Sequence, residues 1–130
     1  MKNLFLITFV FLMIASCGQQ QGNGETVAKT LPVNEWEEKM KTQPGTVLDV
    51  RTTEECAEGM IADAVNMDVN GPDFEKKIEA LDKNKPVYVY CRKGRRGESA
   101  MEIMKEKGFT NVYNLDGGIV AWIEAGKPVK

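Results

Sequence analysis

The sequence predicts one α/β domain, a central parallel sheet with helices on both faces. Three observations carry that expectation. Short apolar runs alternate with amphipathic stretches from about residue 31 onward. The run Val87-Tyr88-Val89-Tyr90 is apolar at every position, as expected of a strand covered on both faces. The chain has 130 residues and no internal repeat, which suits one domain and a short extension.

The extension comes first. Lys2 precedes an apolar run from Leu4 to Ala15, interrupted only by Thr8. That run is too short for an ordinary membrane span but suits a secretory signal. Ile14-Ala15-Ser16-Cys17 resembles the lipobox of bacterial lipoproteins. The resemblance implies that residues 1–16 are a signal peptide and that Cys17 is acylated and becomes the first mature residue. Residues 17–30, beginning Gly18-Gln19-Gln20-Gln21-Gly22-Asn23-Gly24, are then expected to be a flexible lipidated tether. About 13 such residues reach on the order of 20 Å. The expected location is outside the cytoplasm, lipid-anchored on the periplasmic or cell-surface side of a bacterial membrane. Gly18 in place of an acidic residue favours the outer membrane where there is one.

The domain is expected over residues 31–130. Asn34-Glu35-Trp36-Glu37 has the form of a helix start with Asn34 as cap, and the helix should end near Lys41, before Pro44-Gly45. Strands are expected at Thr46–Asp49, Ala64–Met67, Val87–Tyr90 and Val112–Leu115. Helices are expected at Thr53–Glu58, Asp73–Leu81, Glu98–Lys107 and Gly118–Glu124, with Gly108 closing the third. Trp36 and Trp122 read as packing aromatics.

Cys91-Arg92-Lys93-Gly94-Arg95-Arg96 follows the apolar strand directly. It places a cysteine at the carboxyl end of a strand, before a helix, where open α/β sheets bind ligands and helix N-termini favour anions. The thiolate is the reactive form of cysteine. Converging backbone N–H groups and the cations Arg92, Lys93, Arg95 and Arg96 favour it, and Gly94 lets the backbone curl around the sulfur. The same field attracts an anionic substrate. With no histidine in the chain, a Cys–His protease and a histidine-ligated metal site are excluded. Lys and Arg number 17 against 19 Asp and Glu, a net charge of −2, which makes no case for nucleic acid.

The loop Tyr90-Cys91-Arg92-Lys93-Gly94-Arg95-Arg96 resembles the Cys-Arg-x-Gly-x-Arg loop of rhodanese-like sulfurtransferases. Two further stretches are similar to that family. They are Val47-Leu48-Asp49-Val50-Arg51 through Gly59-Met60-Ile61 to Asn66, and Asn111-Val112-Tyr113-Asn114-Leu115-Asp116-Gly117-Gly118 to Trp122. The resemblance implies a sulfurtransferase that needs no cofactor or metal. Cys91 takes the outer sulfur of thiosulfate or a similar anion as a persulfide and passes it to a thiol or other thiophilic acceptor. Arg92, Lys93, Gly94, Arg95 and Arg96 would bind the donor. A monomer is expected.

Departures from the family pattern are Met60 for His, Ala62 for Pro, Cys56 for an aromatic residue and Gly97 for Ser. The last removes a helix-capping hydroxyl, which Ser99 does not clearly replace. Asp49 and Arg51 read as a structural ion pair. Cys56 is open to two readings: a small buried side chain, or a redox partner of Cys91 in an oxidising compartment. A non-catalytic redox-sensing or partner-binding module is the alternative function. A small-anion phosphatase or arsenate reductase is disfavoured, because those loops are Cys-x5-Arg and Cys91 to Arg96 is Cys-x4-Arg.

Overall fold

The computed structural model describes residues 25–130. The expected signal peptide, Cys17 and the first part of the expected tether lie outside the described residues. Five strands form one wholly parallel sheet: β1 Val27–Leu31, β2 Thr46–Asp49, β3 Val65–Asn66, β4 Val87–Tyr90 and β5 Asn111–Leu115. Their spatial order is β1-β5-β4-β2-β3. The helices are α1 Val33–Thr42, α2 Thr53–Ala57, α3 Phe74–Ile78, α4 Arg95–Glu106 and α5 Gly118–Glu124. The expected single α/β domain is therefore present.

Side-chain parity on β4 divides the core in two. Val87 and Val89 pack with Leu48, Phe74, Ile78, Ala100, Met104 and Phe109, on the face covered by α3 and α4. Tyr88 and Tyr90 pack with Trp36, Tyr113, Ile119 and Trp122, on the face covered by α1 and α5. Cys91 continues the Val87–Val89 parity and belongs to the α4 face. Trp36 is fully buried and donates its indole N–H to the Tyr113 carbonyl at 3.0 Å, which ties α1 to β5. Both tryptophans are packing residues, their rings edge-on at 5.8 Å.

Two elements are shorter than expected, β3 being Val65–Asn66 rather than Ala64–Met67 and α3 Phe74–Ile78 rather than Asp73–Leu81, and three other expectations need correction. Residues 27–30, expected in the tether, form β1, paired in register with β5 from Val27↔Asn111 to Leu31↔Leu115. An edge strand takes its stability from the neighbour it pairs with, which is remote in sequence. Asn34 does not cap α1. The helix starts at Val33 after Pro32, whose φ of −57° suits a helix entrance and whose carbonyl accepts from Trp36 N–H at 2.9 Å. Finally, α4 begins at Arg95 rather than Glu98, so Arg95 and Arg96 belong to its first turn.

Ala62, where the family pattern has proline, takes φ 49°, the only positive φ among the described non-glycine residues. A prolyl ring holds φ near about −65°, so the chain here follows a path proline cannot take. The left-handed well costs a residue with a Cβ about 1 kcal/mol. Ala62→Gly is expected to raise stability by about that amount, read as a higher urea midpoint. Ala62→Pro is expected to lower it.

Candidate active site

The site is built at the carboxyl edge of the sheet, where β4 lies between β5 and β2. Three backbone features shape the loop after Cys91. Gly94 takes φ 108° and precedes α4 with no side-chain cap, so no side chain occupies the first N–H groups of that helix. The Gly94 N–H donates to Cys91 Sγ at 3.1 Å. From the other side, Ile119 N–H donates to the Cys91 carbonyl at 2.9 Å and Val120 N–H to the Arg92 carbonyl at 3.1 Å. That approach requires Gly118, because a Cβ there would stand 2.4 Å from both carbonyl oxygens. The start of α5 thus holds the loop from behind, while the start of α4 faces the sulfur. Cys91 itself is only 1% exposed, so whatever reaches its sulfur must be slender.

The four cations separate into two groups. Arg96 lies flat against Glu55 of α2, Nη1 to Oε1 at 2.7 Å and Nη2 to Oε2 at 2.9 Å. This bidentate pair bridges α2 to the first turn of α4 and offsets one positive charge. Arg92, Lys93 and Arg95 are exposed and make no ion pair among the described residues. Arg92 lies on the rim of a cavity of about 220 Å³ that Ile119, Val120, Ile123 and Val129 also line. The structure therefore brings Cys91, Gly94 and Arg96 together, and leaves Arg92, Lys93 and Arg95 as solvated charge around the loop.

Below the loop, Asp49 and Arg51 form the expected structural pair. Arg51 Nη2 meets Asp49 Oδ2 at 2.7 Å with both side chains buried, and also donates to the Gly59 carbonyl at 2.7 Å. Burial works against the Arg51 charge, but the hydrogen bonds and charge of Asp49 outweigh it and raise its pKa. Cys56 is half-buried beside this pair. Burial, and then the Asp49 carboxylate, push its thiol up to about 12, which keeps it protonated. Cys56 and Cys91 are both free thiols. A thiol held so far from ionisation is a poor resolving partner for Cys91.

Glu55 was not singled out from the sequence, though a signal for it exists. Thr52-Thr53-Glu54-Glu55 has the spacing of a capping box, and Thr52 Oγ1 does accept from Glu55 N–H at 3.2 Å. The Glu55 carboxylate turns instead to Arg96, whose position 41 residues away no local pattern reveals.

A rhodanese-like domain model matches residues 33–125. The chain belongs to the rhodanese-like family. Sequence relatives agree. The protein of Bacillus subtilis (strain 168) named “Putative sulfurtransferase YtwF” is 42% identical over 82 residues, 63% of this chain and 77% of its own. A protein of Allochromatium vinosum named sulfurtransferase is 34% identical over 88 residues, 68% of this chain and 80% of its own. A tRNA uridine(34) hydroxylase of Chlamydia caviae is 38% identical over 106 residues, but the match spans 32% of that longer protein. Among solved structures, a rhodanese-related protein from Thermoplasma volcanium superposes with a TM-score of 0.69 at 32% identity, covering 78% of this chain and 97% of its own. The rhodanese-like domain here therefore shares its fold with a solved rhodanese-related protein and its sequence pattern with proteins named as sulfurtransferases.

The Glu55–Arg96 pair generates a pH prediction. Its hydrogen bonds to Arg96 outweigh burial and lower the Glu55 pKa to about 2. An unfolded glutamate titrates near about 4.3, so the pair's contribution is complete above that pH and is lost as pH falls toward 2. Glu55→Gln is expected to lower stability above pH 5 by about 1 kcal/mol for a partly solvated pair, read as a lower urea midpoint. It is also expected to flatten the stability curve between about pH 4.3 and 2.

Proposed function

We propose that Cys91 is the nucleophile and sulfur carrier of a sulfurtransferase acting on thiosulfate or a comparable small anion. The observation that carries this reading is the Gly94 N–H aimed at Cys91 Sγ at 3.1 Å, before a helix whose N-terminus has no side-chain cap. That arrangement suits an anionic sulfur, first the thiolate and then the terminal sulfur of a persulfide. The Cys91 thiolate attacks the outer sulfur of thiosulfate. The new S–S bond forms as the old one breaks, and sulfite leaves with the bonding pair. No proton moves in that step, which suits a site without histidine. In the second step an acceptor thiolate, or cyanide in an assay, attacks the outer sulfur and releases the Cys91 thiolate.

Side-chain charge has a separate part. Arg92, Lys93 and Arg95 draw a dianion toward the loop, an effect that salt weakens. Arg96 braces the loop through Glu55 and adds positive potential beside the sulfur. The near-burial of Cys91 favours a donor whose reacting sulfur projects from a small head group, and disfavours bulky phosphate esters.

Incubation of the purified protein with thiosulfate is expected to add the mass of one sulfur atom to the Cys91 peptide. Thiosulfate-dependent thiocyanate formation from cyanide is expected in wild type and absent from Cys91→Ser. Sulfur transfer that persists in Cys91→Ser would remove Cys91 from the reaction. Hydrolysis of an aryl phosphate that depends on Cys91, without any thiosulfate turnover, would move the reading to a phosphatase.

We also propose that the protein is exported and anchored through an acylated Cys17, supported by the short apolar run and the lipobox-like Ile14-Ala15-Ser16-Cys17. Expression in a bacterial host with labelled palmitate is expected to label wild type and to place it in the membrane fraction. Cys17→Ser is expected to lose both label and membrane association. Equal labelling of the two would overturn the anchor.

A further inference from the structure

Asn114 of β5 is 1% exposed and sits beside Val89 of β4. Its side chain spans from the sheet to the Cys91 loop. Nδ2 donates to the Gly94 carbonyl at 3.1 Å and to Thr30 Oγ1 of β1 at 3.3 Å. Oδ1 has no partner, and it is the only such buried side-chain atom among the described residues. A carbonyl can only accept, so the Gly94 oxygen dictates which way the amide faces. The unpartnered Oδ1 is thereby turned toward α4. It occupies the space that a side chain at residue 97 would fill, since a Cβ on Gly97 would stand 2.1 Å from it.

An unpaired buried acceptor is costly, and a protein that retains one has a compensating use for the group. Here that use is the bond to Gly94. This glycine carries the N–H that meets Cys91 Sγ, takes a φ of 108° and has no side chain to restrain it. Its carbonyl is held by Asn114 and by Glu98 N–H, at 3.0 Å, in the first turn of α4. We propose that Asn114 is the positioning residue of the Cys91 loop, anchoring Gly94 through its carbonyl so that the preceding peptide, which carries the Gly94 N–H, stays on the sulfur, and that Gly97 is glycine to admit it. The polar support of the loop comes from the sheet rather than from a hydroxyl on the helix.

The turnover part of this inference rests on the sulfur-transfer reading, whereas the geometric part does not. Asn114→Leu keeps roughly the same volume but cannot donate to the Gly94 carbonyl. In the full chain, amide hydrogen exchange followed by NMR is expected to show protection of the Gly94 N–H falling about tenfold or more, while Val89 in the core keeps its own. In thiosulfate turnover, the same variant is expected to lose about tenfold or more in kcat with KM little changed, because the N–H on Sγ stabilises the charge that returns to Cys91 as its thiolate is released in the second step.

A paired substitution guards against misfolding of that variant. Gly97→Ala is expected to be strongly destabilising beside Asn114 and tolerated beside Asn114→Ala, a non-additive pair in a double-mutant cycle. Unchanged Gly94 protection in a folded Asn114→Leu, or Gly97→Ala tolerated with Asn114 intact, would overturn the proposal. Absence of thiosulfate turnover in wild type, with the Gly94 and Gly97 results as expected, would defeat the sulfur-transfer reading and leave Asn114 in its role.

Discussion

The buried pair of Asp49 and Arg51 is the constraint on which the carboxyl edge of this sheet depends. Asp49 ends β2, and its carboxylate accepts from Arg51 Nε at 3.0 Å, Arg51 Nη2 at 2.7 Å and the Arg51 backbone N–H at 3.0 Å. The guanidinium reaches on to the Gly59 carbonyl and lies 5.7 Å from the centre of the Tyr90 ring. Tyr90 in turn accepts from Ile61 N–H at 2.9 Å. One ion pair thus fastens β2, the segment from Gly59 to Ile61 and the last residue of β4, and the next residue is Cys91. Removing one partner of such a pair leaves an uncompensated buried charge, at a cost of about 3–5 kcal/mol. The pair's position under the loop makes that rigidity available to Cys91.

Above this base, charge and geometry are assigned to different groups. The sulfur meets a backbone N–H, which has no rotamers of its own and is steadied through the bond from Asn114 to the Gly94 carbonyl. The long cations stay in solvent, where they raise the local concentration of an anion without fixing its pose. Arg96 is the exception: its carboxylate partner holds it in one orientation beside the loop. Glycine is required where the two helix starts converge. Gly118 lets α5 touch the Cys91 and Arg92 carbonyls, and Gly97 leaves room for Asn114.

Much of this was legible because the signals are local. The bounds of β2, β4 and α5 follow from β-branched runs and from Gly117-Gly118, and these elements occur where expected. Cys91 and its loop were legible for the same reason, being contiguous in the chain. What was missed depends on distant partners. β1 exists through its pairing with β5, more than 80 residues later in the chain. Glu55 acquires meaning from Arg96, and Asn114 from Gly94, neither of which a local window contains. The start of α4 was misplaced because its cap is a left-handed glycine rather than a serine or aspartate, so the usual side-chain signature is absent.

The parallel pairing of β1 also sets a direction. Every strand runs the same way, so the chain enters the sheet at Val27 on the amino edge, and Cys91 lies past β4 on the opposite, carboxyl edge. Five strand residues rise about 16 Å. The point where the chain before Val27 joins the sheet and the Cys91 loop are thus at opposite poles of the domain. A force applied at that junction would reach the loop only through the length of the sheet.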